Sequence, residues 1–280
     1  MGLHYVPRLY LRGFADAAER LWAFDRAERR HFFSTIDNVG QESKFYPDDL
    51  ERIFCSEVES PAAPVFHAIR KREEIYFDDK EVLAKYLAAQ LKRVPAGKKL
   101  YHAVFPAVAK EILSGVSSRI DILVEEDPAL EGIGRRRKAK VDELLDRASS
   151  EPPNEIWCDT IRPEYLETIA GAIRTMSWRF FYIRGAGQFL TSDNPVFFFS
   201  RLGLGGENSE LSFPIAHDIV MCADRRSESD LRYFEASSQL AKEVNRRTIS
   251  VASRYVYARE NESWVASFSL KDHKRLNSIR

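Results

Sequence analysis

The spacing of apolar residues changes character three times along the chain. Near the start, Arg20-Leu-Trp-Ala-Phe-Asp25 alternates as a half-buried strand does, and His31-Phe-Phe-Ser-Thr35 reads as its partner. The residues between them are hairpin-sized, so an antiparallel hairpin is predicted. Ahead of it, Leu3 to Phe14 alternates around Pro7, which suits the start of a short helix through Leu9, Tyr10 and Leu11.

From about residue 48 the period lengthens to three and four. Asp48 or Asp49 caps a helix carrying Leu50, Ile53, Phe54 and Val58, with Pro61 and Pro64 expected to kink or split it. A second helix, opened by Asp78 or Asp79, carries Leu83, Tyr86, Leu87, Gln90, Leu91 and Val94 and stops at Pro95. Residues 100–127 and 135–149 read as more polar helices, and Pro152-Pro153 breaks the chain. Behind Pro163, Leu166, Ile169, Ala170, Ile173 and Met176 define an amphipathic helix. After Trp178 the pattern turns to short aromatic and β-branched runs at 179–184, 188–191, 196–200, 211–215, 219–222 and 255–258. A helix over 237–247 lies among them, and Gly203-Leu-Gly-Gly-Glu-Asn208 reads as a loop.

Strands at both ends and helices in the middle predict an α+β fold. The simplest closure is an antiparallel sheet built from the N-terminal hairpin and the C-terminal strands, with a central helical bundle packed on one side. That makes residues 1–280 a single domain in which 48–178 is a mainly helical insertion. It also predicts that His4 comes near Asp193.

The 42 basic and 42 acidic side chains among 280 residues cancel, which removes a strong overall field toward nucleic acid or an anionic membrane and leaves only a local basic cleft. Three cysteines without metal-clip spacing fit a reducing compartment. No run of 18 apolar residues and no signal-peptide pattern is present, so a cytoplasmic protein with no membrane partner is expected.

Four segments carry candidate chemistry. His4, in His4-Tyr-Val-Pro-Arg8, is either a core-edge histidine bonded to backbone or a group that moves protons or binds metal. Gln90 falls within an apolar helical stripe with Arg93 three residues on, which makes either a structural network or part of a ligand cleft. Thr191-Ser-Asp-Asn-Pro195 is either a strand-ending turn or a rigid platform that projects Asp193, with Ser192 and Asn194 beside it. Asp37, Glu42 and Lys44 loosely match the acid-acid-lysine set that holds Mg²⁺ and orients water in nucleases. The basic run Arg135-Arg-Arg-Lys138 with Lys140 reads as a solvated helix face.

These segments occur in one order. His4-Tyr-Val-Pro-Arg-Leu-Tyr-Leu-Arg-Gly-Phe14, Leu21-Trp-Ala-Phe-Asp25, Phe45-Tyr46, Leu87-Ala-Ala-Gln90 with Arg93 and Pro95, Thr191-Ser-Asp-Asn-Pro195, Phe213-Pro214 and Val244-Asn245 follow one another. The chain thereby resembles the bacterial family catalogued as domain of unknown function 4238, over roughly residues 3 to 258. Gly13 stands where the family's opening motif usually has Asn. The resemblance implies a single bacterial, non-secreted domain and supplies no reaction.

Two functional readings follow. In the first, the protein is a metal-dependent phosphodiester hydrolase, nuclease-like and serving genome defence. His4, Glu42 and Asp193 then hold Mg²⁺ or Mn²⁺ and do the catalysis, and Arg8, Gln90, Arg93, Ser192 and Asn194 bind a nucleic acid or nucleotide in a local basic cleft. In the second, the same groups form a non-enzymatic module that binds a small ligand or a protein.

Overall fold

The structure, a computed structural model, describes residues 2–150, 152–199, 201–228, 230–273 and 276–279. The chain forms two compact units, residues 1–96 with 160–280, and residues 97–159. The helices at 48–96 and 160–178 therefore belong with the strands, and the separate helical unit is narrower than the expected 48–178 insertion.

The first unit opens with β1 (Leu3–His4), α1 (Arg8–Leu11) and a 3₁₀ turn over Arg12–Phe14. The predicted hairpin follows as β2 (Arg20–Asp25) and β3 (Arg30–Thr35), and β4 (Gln41–Glu42) turns back to pair with β1. Next come α2 (Asp48–Phe54), α3 (Ser60–Lys71) and α4 (Phe77–Arg93). The second unit is built from α5 (Pro95–Glu126), which begins in the first unit, together with α6 (Glu131–Ser150) and most of α7 (Asn154–Thr160). The chain then completes the first unit with α8 (Glu167–Arg174), β5 (Ser177–Tyr182), β6 (Thr191–Ser192), β7 (Phe197–Phe198), β8 (Glu210–Ala216), β9 (Ile219–Asp224) and β10 (Arg232–Glu235). It closes with α9 (Ser238–Val251), β11 (Tyr255–Ala258) and α10 (Ser263–Ser269). Ser200, the last residue of the predicted 196–200 strand, lies outside the described residues.

The start and the final third of the chain pair, as the pattern predicts. Strand β11 lies antiparallel to β2, with Val256 opposite Phe24. One expected sheet is instead two. Four strands run in the order β3-β2-β11-β6 and five in the order β10-β5-β9-β8-β7, where only β10–β5 is parallel. Between β5 and β6 the chain leaves one sheet for the other through Gly185 and Gly187, at φ +88° and +117°. Side chains rarely adopt that backbone, so glycine permits the crossing.

Tyr10 closes the seam between the sheets. Its hydroxyl donates to the Pro214 carbonyl of β8 at 2.8 Å. Its only proton is thereby used, so it accepts from the Thr191 hydroxyl of β6 at 2.5 Å. The ring stacks on Phe213 with centroids 4.9 Å apart. Just downstream, a Cβ on Gly13 would sit 2.5 Å from the Ile215 carbonyl oxygen. The bare glycine lets the 3₁₀ turn lie against β8, an approach that an Asn at this position would obstruct.

Helix α4 packs on α8 and on α3. Pro61 and Pro64 do not break the α2–α3 path. A π turn over Cys55–Glu59 joins the two helices just upstream of the prolines. Such single π turns relieve strain in a helix without ending it and recur at functional sites.

The second unit contains a helical hairpin. Asp127 caps its turn by accepting from the Ala129 amide at 3.0 Å. A Cβ on Gly134 of α6 would come within 2.5 Å of Val124 on α5, so the helices approach closely there. Among the described residues no helix is long and apolar enough to cross a membrane.

Candidate functional site

Strand β1 ends at His4, which it fixes opposite Gln41 of β4 at the edge of the site. His4 is half-buried, and its Nε2 lies 3.3 Å from the Ile36 carbonyl oxygen. A carbonyl only accepts, so Nε2 carries the proton and Nδ1 keeps its lone pair. Burial is the largest influence on this imidazole and pushes its pKa below 6.5, against the Ile36 hydrogen bond, with Arg8 adding to the lowering. The ring is neutral at pH 7.

His4 lines a cleft of about 450 Å³ with Arg8 and Arg12 on one side and Glu51, Arg52, Cys55 and Glu59 from the α2–π–α3 helix on the other. That volume falls in the range of small-molecule sites, roughly 300–1,000 Å³. Arg8 pairs with Asp37 at 2.8 Å and Arg12 with Glu19 at 2.7 Å, all four side chains being about half exposed. Such pairs contribute at most about 1 kcal/mol and exchange readily for a better anion. The Arg52 guanidinium makes no hydrogen bond or ion pair among the described residues.

The two walls are held together from below. Gln90 donates to the Tyr5 carbonyl at 3.0 Å, one residue from His4. Its carbonyl oxygen receives Nε and Nη2 of Arg93, both at 3.4 Å. Arg93 is fully buried, donates to Glu59 of the π turn at 2.8 Å and lies over the Phe54 ring at 4.9 Å. Tyr46 adds a third tie: its single phenol proton is shared between Glu51 at 2.6 Å and the His4 carbonyl at 3.0 Å. Gln90 and Arg93 therefore position the cleft without lining it, which corrects their expected role as substrate-binding groups.

The expected metal set of His4, Glu42 and Asp193 does not assemble. The carboxylates act on Tyr5, just past the end of β1, rather than on His4: burial together with the charges of Asp193 and Glu42 pushes the Tyr5 phenol pKa upward. Asp193 is buried and accepts from the backbone amides of Ser253, Arg254 and Tyr255 at 2.8, 2.7 and 2.9 Å. Burial raises its carboxyl above the usual range against those three bonds. Ser192 bonds the Asn194 backbone at both its carbonyl and its amide, and Asn194 donates to the Val251 carbonyl at the end of α9. The Ser-Asp-Asn-Pro turn is thus a clasp on the α9–β11 connection. Glu42 is exposed on β4. Among the described residues no three His, Cys, Asp or Glu side chains are placed to hold a metal ion, so Mg²⁺ or Mn²⁺ does not fit this donor set.

The family model described as "Protein of unknown function (DUF4238)" matches residues 4–262. The chain belongs to this family. No curated protein and no solved structure matches it. The family span begins at His4 and takes in both walls of the cleft, the Gln90–Arg93 tie and the Ser-Asp-Asn-Pro clasp.

Glu51, Arg52, Cys55 and Glu59 of one wall escape sequence reasoning, as does Arg12 of the other. The first four sit at the polar positions between Leu50, Ile53, Phe54 and Val58, and no sequence signal announces the π turn that carries Cys55 and Glu59. The buried Gln90–Arg93 pair was the usable clue, since a guanidinium inside a helix stripe requires an acid from another element.

Proposed function

We propose that this family member binds a small phosphate-bearing ligand in the cleft between His4 and Arg52. The observation that carries this reading is the Arg52 guanidinium, which has no partner among the described residues, in a cleft that also holds Arg8 and Arg12 in weak, exposed pairs. Guanidinium groups suit phosphate because they present several donors in a fixed plane. Glu59 is paired with Arg93, which leaves Glu51 as the one charged carboxylate of the lining against Arg8, Arg12 and Arg52.

The test is calorimetric titration of the purified protein with inorganic phosphate, nucleoside mono- and diphosphates and short dinucleotides. Saturable binding that weakens about tenfold or more in Arg52→Ala and in Arg8→Ala supports the reading. Binding unaffected by both changes removes it.

The expected phosphodiester hydrolysis keeps one supporting feature, the neutral His4 whose Nε2 is fixed by Ile36. In that second reading His4 Nδ1 accepts a proton from the attacking oxygen while the arginines hold the phosphate. Single-stranded DNA and RNA, assayed with and without Mg²⁺ or Mn²⁺, separate the two readings. Cleavage that disappears in His4→Ala favours hydrolysis, and ligand binding without cleavage favours the binding module.

A further inference from the structure

On the far side of α9 from its N-terminal cap, Glu243 and Arg247 stand four residues apart and so share one face of the helix. Both are buried, at 2% and 0% exposure, and so is Glu210 at the start of β8 at 3%. Charges this deep need partners. Arg247 Nη2 donates to Glu210 at 2.7 Å, and the guanidinium lies 5.0 Å from the ring centres of both Phe197 and Phe199.

The remaining bonds come from a short strap, residues 276–279. The Asn277 amide donates to Glu243 Oε1 at 2.7 Å and its side chain to Oε2 at 3.3 Å. Its carbonyl accepts from Arg247 Nη2 at 2.5 Å. The Ser278 hydroxyl donates to Glu210 Oε1, and the Ile279 amide donates to Glu210 Oε2 at 3.3 Å. The Ile279 side chain packs on the apolar cluster of Phe189, Val220, Cys222 and Val244.

This is a pattern of main-chain recognition. The amides of residues 277 and 279 meet fixed carboxylates, the intervening carbonyl meets a guanidinium, and one side chain enters an apolar patch. The strap pairs with no strand, and Asn277 and Ser278 are themselves exposed over a buried charged floor. The floor belongs to α9 and β8, whereas the strap lies outside any helix or strand and sets Ile279 on the apolar cluster. Among the described residues Nε and Nη1 of Arg247 make no hydrogen bond, so the floor keeps donors that the strap does not use. The groove residues fall inside the span that the family model matches, and the strap falls outside it.

We propose that the groove between α9 and β8 is a peptide-recognition site, filled in cis by residues 276–279, which takes in trans an extended peptide of the same chemistry. That chemistry is an amide or hydroxyl residue followed by a branched apolar one. Tethering gives the strap an effective concentration on the order of millimolar. A partner peptide therefore engages only when it outcompetes the strap or the strap is released. This site is independent of the His4 cleft.

The test uses the full chain with Ile279→Asp to release the strap, and a fluorescent peptide with the sequence of residues 274–279. Anisotropy should show saturable binding to this variant at least tenfold tighter than to the unaltered protein, and Glu243→Gln added to it should reduce binding at least tenfold. No saturable binding to a variant with unchanged circular dichroism, or binding indifferent to Glu243→Gln, overturns the proposal. Should Ile279→Asp not fold, hydrogen exchange on the unaltered protein decides. The Asn277 and Ile279 amides should exchange by local opening, at least a hundredfold faster than those of central α9. Exchange at the same rate as central α9 overturns the proposal.

Discussion

Tyr10 and Thr191, 181 positions apart, share a buried hydrogen bond at the seam of the two sheets. The Tyr10 proton goes to Pro214 on the opposite sheet. Tyr10→Phe keeps the ring packing and removes both bonds, leaving a buried hydroxyl and a carbonyl without partners. The expected loss is about 1–3 kcal/mol of stability by urea denaturation. A change below about 0.5 kcal/mol would mean that water replaces the phenol.

Asp193→Ala should strand three backbone amides. Loss of a buried charged acceptor costs on the order of 3 kcal/mol, with the α9–β11 connection loosened first. Ligand affinity in the His4 cleft, measured on the folded fraction, should not change. A selective loss of binding or activity at full stability would restore Asp193 to the functional site.

Asp25 gives a pH dependence of defined sign. The side-chain hydrogen bonds from Arg254 are the chief influence holding its carboxyl below the usual range. A lowered folded pKa makes its contribution fully present above the unfolded value, near 4, and lost as pH falls through the lower folded value. Asp25→Asn should therefore be less stable than the natural chain at pH 7, with the gap closing below about pH 4. A gap constant from pH 7 to pH 3 would contradict the assignment.

Thiol labelling tests the cleft cheaply. Cys55 is exposed and lines the cleft, whereas Cys158 and Cys222 are buried, and burial pushes the Cys222 thiol up to about 12. Iodoacetamide should modify one thiol in the folded protein. A phosphate-bearing ligand that fills the cleft should slow that reaction severalfold.

Removing the cleft's support should weaken binding indirectly. Arg93→Met leaves Glu59 facing the interior without its partner, and breaking such a pair costs about 3–5 kcal/mol. Gln90→Ala is milder, frees the Tyr5 carbonyl and should lower ligand affinity more than stability. Equal affinity in Gln90→Ala and the natural chain would show that the two walls hold their spacing without it.

Strands β2 and β11 and the helix behind Asp79 were legible because each has a clean period bounded by turn residues. The joining of the first hairpin to the last strand followed from their placement at opposite ends. The two-sheet arrangement was not legible, because it depends on two glycine dihedrals and on Tyr10 reaching both sheets. Strand β10 is not legible because in Arg232-Tyr-Phe-Glu235 charged residues flank two aromatics, without the apolar run that marks β11. The candidate site was half legible. The opening motif points to His4 and Arg8, which line the cleft, but the charge of Asp193 acts on Tyr5 rather than His4. The opposite wall could not be read, because a π turn changes the phase of a helix without changing its composition.

The pairing of Asp25 with Tyr255 also bears on how the molecule is made. The two residues are about 230 positions apart. At translation rates of roughly 5–20 residues per second, the first hairpin leaves the ribosome about 10–50 seconds before its neighbouring strand exists. Throughout that interval the unpaired side of β2 is an open template for any passing strand. Only cover by other parts of the nascent chain or by another protein keeps that edge from pairing wrongly until β11 has been made.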